Sequence, residues 1–169
     1  MKRSLWALVV AVPLVVLLAS GFGHDPNAVH SPIVGHAAPS FALRAFNGTR
    51  VSTAALRGEP TIVNFWASWC VSCKQEHQAL LEAWRQYSHK VAFVGIDYQD
   101  HLSDARSFLR ANGGGWAQLQ DPGGRVAIDF GVYGVPETYF VNRHGVVVYK
   151  STGPVTPSVL KAQIQRILT

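Results

Sequence analysis

Apolar residues follow this chain in two patterns, as short continuous runs and as helical repeats. Residues 61–67 (TIVNFWA) and residues 91–96 (VAFVGI) are runs of strand length, which is typical of strands buried on both faces. Between them, residues 71–88 place apolar side chains at helical spacing, with polar side chains on the opposite face. The middle of the chain is therefore predicted to form a βαβ unit.

The second half of the chain predicts two more helices and a hairpin. Ser103 is a candidate N-cap for a helix that runs to residue 111, where an Asn-Gly-Gly-Gly run ends it. Residues 137–142 and 146–150 flank an Arg-His-Gly turn and predict a hairpin. A last helix begins at residue 156 or 157. Together these elements predict the α/β class with a thioredoxin-like layout, a central mixed β-sheet flanked by helices.

The chain begins with a hydrophobic segment behind a positive head. Lys2 and Arg3 precede an uncharged stretch at residues 5–22, which as a helix would be about 27 Å long, at the lower end of a membrane-spanning length. The small residues at 19–21 (ASG) fit a signal-peptide cleavage site, and the positive end equally fits an uncleaved anchor. Both readings place the rest of the chain outside the cytoplasm.

Composition divides the chain into three parts. Residues 1–23 are the hydrophobic segment, residues 24–37 are a proline- and histidine-containing tether, and residues 38–169 are long enough for one hydrophobic core. The net charge is +5, and no cluster of lysine and arginine alternates with aromatic residues. Nucleic-acid binding therefore has little support.

The two cysteines of the chain, Cys70 and Cys73, lie in NFWASWCVSCKQEH, where the predicted strand meets its helix. A structural disulfide that closes so short a loop stabilises by only about 2 kcal/mol. A zinc site lacks ligands, since His77 is the one nearby addition to the pair. Redox chemistry suits the location, because a helix N-terminus stabilises a thiolate. Cys70 is then predicted to be the exposed nucleophile and Cys73 the resolving thiol.

Three stretches resemble one known family. WASWCVSC with the following KQEH, and later GVYGVPETYFV, are similar to the thioredoxin-like proteins of cytochrome c maturation, called CcmG or DsbE. Residues 31–43 (SPIVGHAAPSFAL) resemble the start of the same domain, which peroxiredoxins share. The resemblance implies a thioredoxin-like fold with an N-terminal membrane anchor, a redox-active Cys70–Cys73 disulfide and no cofactor.

The resemblance also implies a cellular task. Members of this family are anchored by one helix in the bacterial inner membrane, with the catalytic domain in the periplasm. The expected reaction is reduction of the disulfide in the haem-attachment site of apocytochrome c, directly or through a cysteine-bearing maturation partner. Free thiols are needed for haem attachment in a compartment that oxidises them. The expected electron donor is a membrane thiol transporter of the DsbD or CcdA kind.

Five further positions carry over from the family pattern. Val135 and Pro136 correspond to the segment that faces the cysteines and offers backbone to an extended substrate, although Pro136 also fits a plain strand start. Glu76 and Glu137 correspond to acids that tune the thiol pKa or transfer protons, although each also fits a solvated surface acid. Trp69 is expected to restrict which thiols approach.

Two residues at strand ends have simpler explanations. Trp66 is predicted to belong to the core. Asp97 ends a predicted strand, where parallel sheets gather functional side chains, but a strand-ending carboxylate is the commoner explanation. One residue between the cysteines departs from the family: Val71 stands where proline is usual, which is expected to loosen the start of the helix.

Three rival functions remain open from the sequence. The first is a general periplasmic thiol-disulfide reductase with the same fold. The second is a copper-binding thioredoxin-like chaperone, which usually spaces its cysteines one residue wider and needs a distant histidine. The third is a peroxidase, which requires threonine or serine three residues before its cysteine; Ala67 occupies that place.

Overall fold

The structure, a computed structural model, describes residues 32–169. These residues lie within one compact unit, Ser31–Thr169. The predicted hydrophobic segment at 1–23 and the greater part of the predicted tether lie outside the described residues. Within residues 32–169, no helix has both the length and the apolar character needed to cross a bilayer.

Seven strands and four helices make up the described unit. The strands are β1 (Ala42–Ala45), β2 (Arg50–Ser52), β3 (Thr61–Trp66), β4 (Ala92–Tyr98), β5 (Ala117–Asp121), β6 (Glu137–Val141) and β7 (Val147–Thr152). The helices are α1 (Val71–Tyr87), α2 (Leu102–Asn112), α3 (Arg125–Phe130) and α4 (Pro157–Leu168).

The strands form one mixed sheet in the order β2-β1-β5-β4-β3-β6-β7. The three strands β3, β4 and β5 are parallel, and the remaining pairs are antiparallel. The predicted mixed sheet flanked by helices is confirmed. β3 lies between β4 and β6, inside the sheet. The C-terminal end of β3 therefore places the start of α1, with the two cysteines, where the inner strands end.

The predicted βαβ unit, hairpin and last helix are confirmed, and Thr156 caps α4 with its hydroxyl oxygen. The prediction that Ser103 is the N-cap of α2 is wrong. The N-cap is His101, two residues earlier, and the Ser103 hydroxyl donates to Asp104. Sequence patterns did not reveal β1, β2, β5 and α3, which are short and lack a continuous apolar run.

The sheet has a hydrophobic core on each face. On one face, Phe65, Ile96 and Tyr139 pack against α3 and the N-terminal strands. On the other face, the helices α1, α2 and α4 cover residues such as Ile62 and Trp66. Every residue of β3 is buried, as its continuous apolar run predicts. Trp66 is part of the core, as expected.

Candidate functional site: a disulfide at the start of α1

Cys70 and Cys73 form a disulfide at the N-terminus of α1. Cys70 is the N-cap residue, and its Sγ accepts a hydrogen bond from the Cys73 N–H at 3.0 Å. The helix therefore begins in an ordered way although Val71, and not proline, occupies its first position. The free N–H groups and partial positive charge of a helix start stabilise a thiolate at this place when the disulfide is reduced.

Both cysteines are buried in the disulfide form. Cys70 is 5% exposed and Cys73 is 3% exposed, so the expectation of an exposed Cys70 is wrong for this state. The Val135 carbonyl oxygen lies 3.5 Å from Cys70 Sγ and covers it. Trp69 and Val71 flank the disulfide and are largely exposed, at 57% and 68%. The surface beside the disulfide is therefore formed by these two apolar side chains and the Val135 backbone.

The Val135–Pro136 peptide bond is cis, and the segment lies just before β6. Within residues 32–169, neither the N–H nor the carbonyl group of Val135 has a backbone hydrogen-bond partner. The structure thus brings Val135, with Pro136 after it, to Cys70, as the resemblance implies. Their role in docking stays a prediction.

Glu76 lies one turn beyond Cys73, and its side chain points into the protein. It is 2% exposed, which excludes a solvated surface acid. Its Oε1 accepts from Asn64 Nδ2 at 2.8 Å, and its Oε2 accepts from the Val155 N–H at 2.7 Å. Burial raises the pKa of Glu76 to about 7, against the lowering effect of these hydrogen bonds. The carboxyl group can therefore gain or lose a proton near neutral pH.

Glu137 follows the cis proline and is completely buried. Its Oε2 is 2.9 Å from Lys150 Nζ and accepts from the Tyr139 hydroxyl at 2.6 Å. Its Oε1 accepts from the Tyr133 N–H at 3.2 Å. A surface role is excluded for this acid as well. Glu137 thus contacts a cation, Lys150, in addition to two hydrogen-bond donors, whereas the contacts of Glu76 described above are two uncharged donors.

Lys150 holds the loop that carries Val135, and sequence reasoning missed it. Besides Glu137, its Nζ donates to the Gly131 carbonyl at 3.0 Å and lies 5.0 Å from the centre of the Tyr133 ring. A lysine in a hairpin strand normally indicates an exposed face. In the folded protein, β6 and β7 pair so that Lys150 lies opposite Tyr139. This register lets the ammonium group of Lys150 reach the loop that carries Val135, and the local sequence around Lys150 does not show it.

His77 packs under the C-terminal end of α2. Its Nε2 is 3.0 Å from the Gly113 carbonyl oxygen, and its ring contacts Phe108 and Trp116. Burial lowers the pKa of His77 below its ordinary value of 6.5. Within residues 32–169, no group of three metal-ligating side chains comes together.

The loop between β3 and α1 is fastened to the segment that follows β4. The Ser68 N–H donates to Asp100 Oδ2 at 2.5 Å, and Trp69 Nε1 donates to the Gln99 carbonyl at 3.2 Å. Gln99 has a φ of 48°, a left-handed conformation that a residue with a side chain adopts at some cost. The residues just before Cys70 are thus held in place by hydrogen bonds to the segment that follows β4, the strand next to β3.

Curated relatives of this chain are named thiol:disulfide interchange proteins. Residues 34–150 match the AhpC/TSA family. The chain is 36% identical over 170 residues to the thiol:disulfide interchange protein DsbE of Allochromatium vinosum, covering 99% of this chain and 93% of the relative. It is 31% identical over 180 residues to DsbE of Escherichia coli K12, covering 98% and 94%.

A solved structure agrees with these sequence matches. MTB DsbF, in its mixed oxidized and reduced forms, superposes with a TM-score of 0.72 at 28% identity and covers 76% of this chain and 95% of its own. The disulfide at the start of α1 provides the chemistry that these relatives are named for, which is thiol-disulfide exchange. With its thioredoxin-like fold and its Cys70–Cys73 pair, this chain belongs to the DsbE family of thiol:disulfide interchange proteins.

Proposed function

We propose that this oxidoreductase reduces the disulfide in the haem-attachment site of apocytochrome c, or in a cysteine-bearing maturation partner. The observation that carries the proposal is the placement of Cys70 Sγ against the backbone of Val135, which has no backbone hydrogen-bond partner within residues 32–169. An extended peptide that pairs with Val135 by short β-addition brings its own disulfide to Cys70. The likeness to DsbE proteins supports thiol-disulfide exchange, and the resemblance to proteins of cytochrome c maturation suggests the substrate class.

The reaction is a two-step exchange. The Cys70 thiolate attacks one sulfur of the substrate disulfide, so that a mixed disulfide forms and the other substrate sulfur leaves as a thiolate. The Cys73 thiolate then attacks Cys70 Sγ, which closes the Cys70–Cys73 disulfide and releases the second substrate thiol. Two electrons pass to the substrate. Glu76, whose pKa lies near 7, is suited to accept the proton of Cys73 during the second step.

The closed Cys70–Cys73 disulfide must be reduced again before another turnover. The chain holds no second cysteine pair, so the electrons come from a partner. The proposed donor is a membrane thiol transporter of the DsbD or CcdA kind. The proposed location is the periplasmic side of the inner membrane, with residues 1–23 as an uncleaved anchor. Membrane fractionation in high salt tests the anchor, and a soluble chain that begins near residue 22 would contradict it.

Trapping the mixed disulfide tests the substrate. In Cys73→Ala, Cys70 can attack but nothing resolves the intermediate, so a covalent complex should accumulate in the periplasm. A variant without both cysteines is the control and should trap nothing. Apocytochrome c or a maturation partner should dominate the trapped species, and Pro136→Ala should reduce the amount without unfolding the domain. A broad spread of unrelated exported proteins would instead indicate a general thiol-disulfide reductase.

A further inference from the structure

Asp97 is a buried carboxyl group without a conventional partner. It lies near the end of β4, paired in register with Trp66 of β3, four residues before Cys70. Asp97 is 2% exposed. Neither of its carboxyl oxygens accepts a hydrogen bond from an N–H or O–H group within residues 32–169. An isolated buried carboxylate is strongly unfavourable. Either this group carries a proton or something stabilises its charge.

A side-chain hydrogen bond links Asp97 to another carboxyl group, that of Asp100, three residues later. Asp100 already accepts two backbone hydrogen bonds, from Ser68 at 2.5 Å through Oδ2 and from His101 at 2.7 Å through Oδ1. Both oxygens of Asp100 therefore act as acceptors, which leaves the proton of a shared hydrogen bond on Asp97. Burial, with the charge of Asp100 and a side-chain hydrogen bond to it, raises the pKa of Asp97 to about 8. Two carboxyl groups can share a hydrogen bond only when one of them is protonated.

We propose that Asp97 and Asp100 share one proton and that this acid pair positions the loop that carries Cys70. The Asp97 O–H donates to the Asp100 carboxylate, and Asp100 in turn fixes the Ser68 N–H two residues before the nucleophile. A second hydrogen bond, from the Trp69 indole N–H to the Gln99 carbonyl, joins the same two segments. Asp97 is therefore a positioning residue that acts on Cys70 through Asp100 and Ser68. This role requires thiol-disulfide exchange at Cys70 but no particular substrate.

Two substitutions of Asp97 separate positioning from packing. Asp97→Asn keeps the shape and places an amide N–H where the acid O–H points, so the contact with Asp100 persists. Asp97→Leu fills the same space and removes the donor; replacing a buried acid by an apolar side chain need not reduce stability. In the reduced full chain, the rate of Cys70 alkylation by iodoacetamide at neutral pH should fall roughly tenfold in Asp97→Leu, less than the hundredfold that a misplacement of 1 Å can cause. Asp97→Asn should retain the wild-type rate.

A double variant tests whether Asp97 acts through Asp100. Asp100→Ala should slow alkylation to a similar extent, and Asp97→Leu combined with Asp100→Ala should be no slower than Asp100→Ala alone. Infrared spectroscopy gives a second readout in a Glu76→Gln background, which removes the other carboxyl group with a raised pKa. The C=O band of a protonated carboxylic acid should be present in that background and lost when Asp97→Asn is added. Additive rate losses, equal rates in the Leu and Asn variants, or absence of that band would each overturn the proposal. A small-molecule disulfide as substrate should reproduce the order of rates, whatever the apocytochrome experiment shows.

Discussion

Glu76 and Glu137 are two glutamates beside the same catalytic segment, and the fold satisfies them by different means. Glu76 accepts hydrogen bonds from an amide and a backbone N–H, and no cation is among its partners in the described part of the chain, residues 32–169. Glu137 is reached by the ammonium group of Lys150, the Tyr139 hydroxyl and a backbone N–H. The acid without a cation has a pKa raised to about 7. The other forms an ion pair that anchors a loop.

The difference separates two tasks that the family pattern assigns to both acids. A proton acceptor must change its charge near the working pH, so it has to lie in a site that tolerates both forms. Glu76 meets this condition. A loop anchor instead needs a partner that holds it in place, and a buried ion pair is strongly destabilised when one member is removed. Glu137 and Lys150 form such a pair, and through the Gly131 carbonyl and Tyr133 they fix the loop that ends at Val135.

Removing the cation should give the largest effect. Lys150→Met leaves Glu137 buried without its ion-pair partner, and breaking a buried pair in this way costs about 3–5 kcal/mol. Urea unfolding of the oxidised protein measures the loss. Lys161→Met is the matched control, because Lys161 is exposed on α4, and should change stability by less than about 0.5 kcal/mol.

A second variant distinguishes loss of the charge partner from loss of packing. Lys150→Met combined with Glu137→Gln removes both charges, so part of the stability lost in Lys150→Met should return. If the double variant is no more stable than the single one, the ion pair is not what anchors Glu137.

The sequence identifies the acids but not this division of labour. The apolar runs predict β3, α1 and β4, and the resemblance brings Glu76 and Glu137 to the site. Their partners come from distant parts of the chain: Val155 is 79 positions from Glu76, and Lys150 reaches Glu137 through the pairing of β6 with β7. Such partners depend on strand register and loop path, which no local pattern contains. The same holds for Asp100, which meets Ser68 only after β3 and β4 pair.

Removing the titration of Glu76 should give the next largest effect, and it depends on pH. The pKa of Glu76 is raised from 4.5 to about 7 on folding, so the folded state binds more protons than the unfolded state between these values. The contribution of Glu76 to stability is therefore full below pH 4.5 and is lost as the pH rises through 7. From pH 5 to pH 8, the wild type should lose about 2–3 kcal/mol relative to Glu76→Gln.

Unfolding of both proteins in urea at pH 5 and pH 8 measures this relative change. Glu82→Gln is the control on the same helix, since Glu82 is exposed and bonded to Gln78; its difference from the wild type should stay nearly constant with pH. If the difference in unfolding free energy between Glu76→Gln and the wild type is also constant with pH, Glu76 keeps one protonation state. That result would contradict its role in proton transfer.

Removing a neutral donor from Glu137 should cost less than removing its cation. Tyr139→Phe deletes the hydroxyl that donates to Glu137 Oε2, and the ion pair to Lys150 remains. The expected loss in unfolding free energy is about 1–2 kcal/mol, the range for a buried hydrogen bond to a charged group. Tyr149→Phe is the control, because the Tyr149 hydroxyl makes no hydrogen bond within residues 32–169. Equal losses in the two variants would show that the Tyr139 hydroxyl contributes only packing.

The smallest effect should come from His77, the neighbour of Glu76 on α1, and its pH dependence should have the opposite sign. Burial lowers the pKa of His77 below its ordinary value of 6.5, so in the unfolded chain this residue binds a proton that the folded state refuses. Its contribution to stability is therefore lost as the pH falls below about 6.5.

Stability of the wild type should decline towards acid more steeply than that of His77→Gln, whereas exposed His89→Gln should follow the wild type. Thermal unfolding between pH 7.5 and pH 5, in steps of about half a unit across the ordinary histidine range, makes the comparison. Parallel curves for the wild type and His77→Gln would show that His77 titrates alike in both states, and that the contrast between these adjacent buried groups is confined to Glu76.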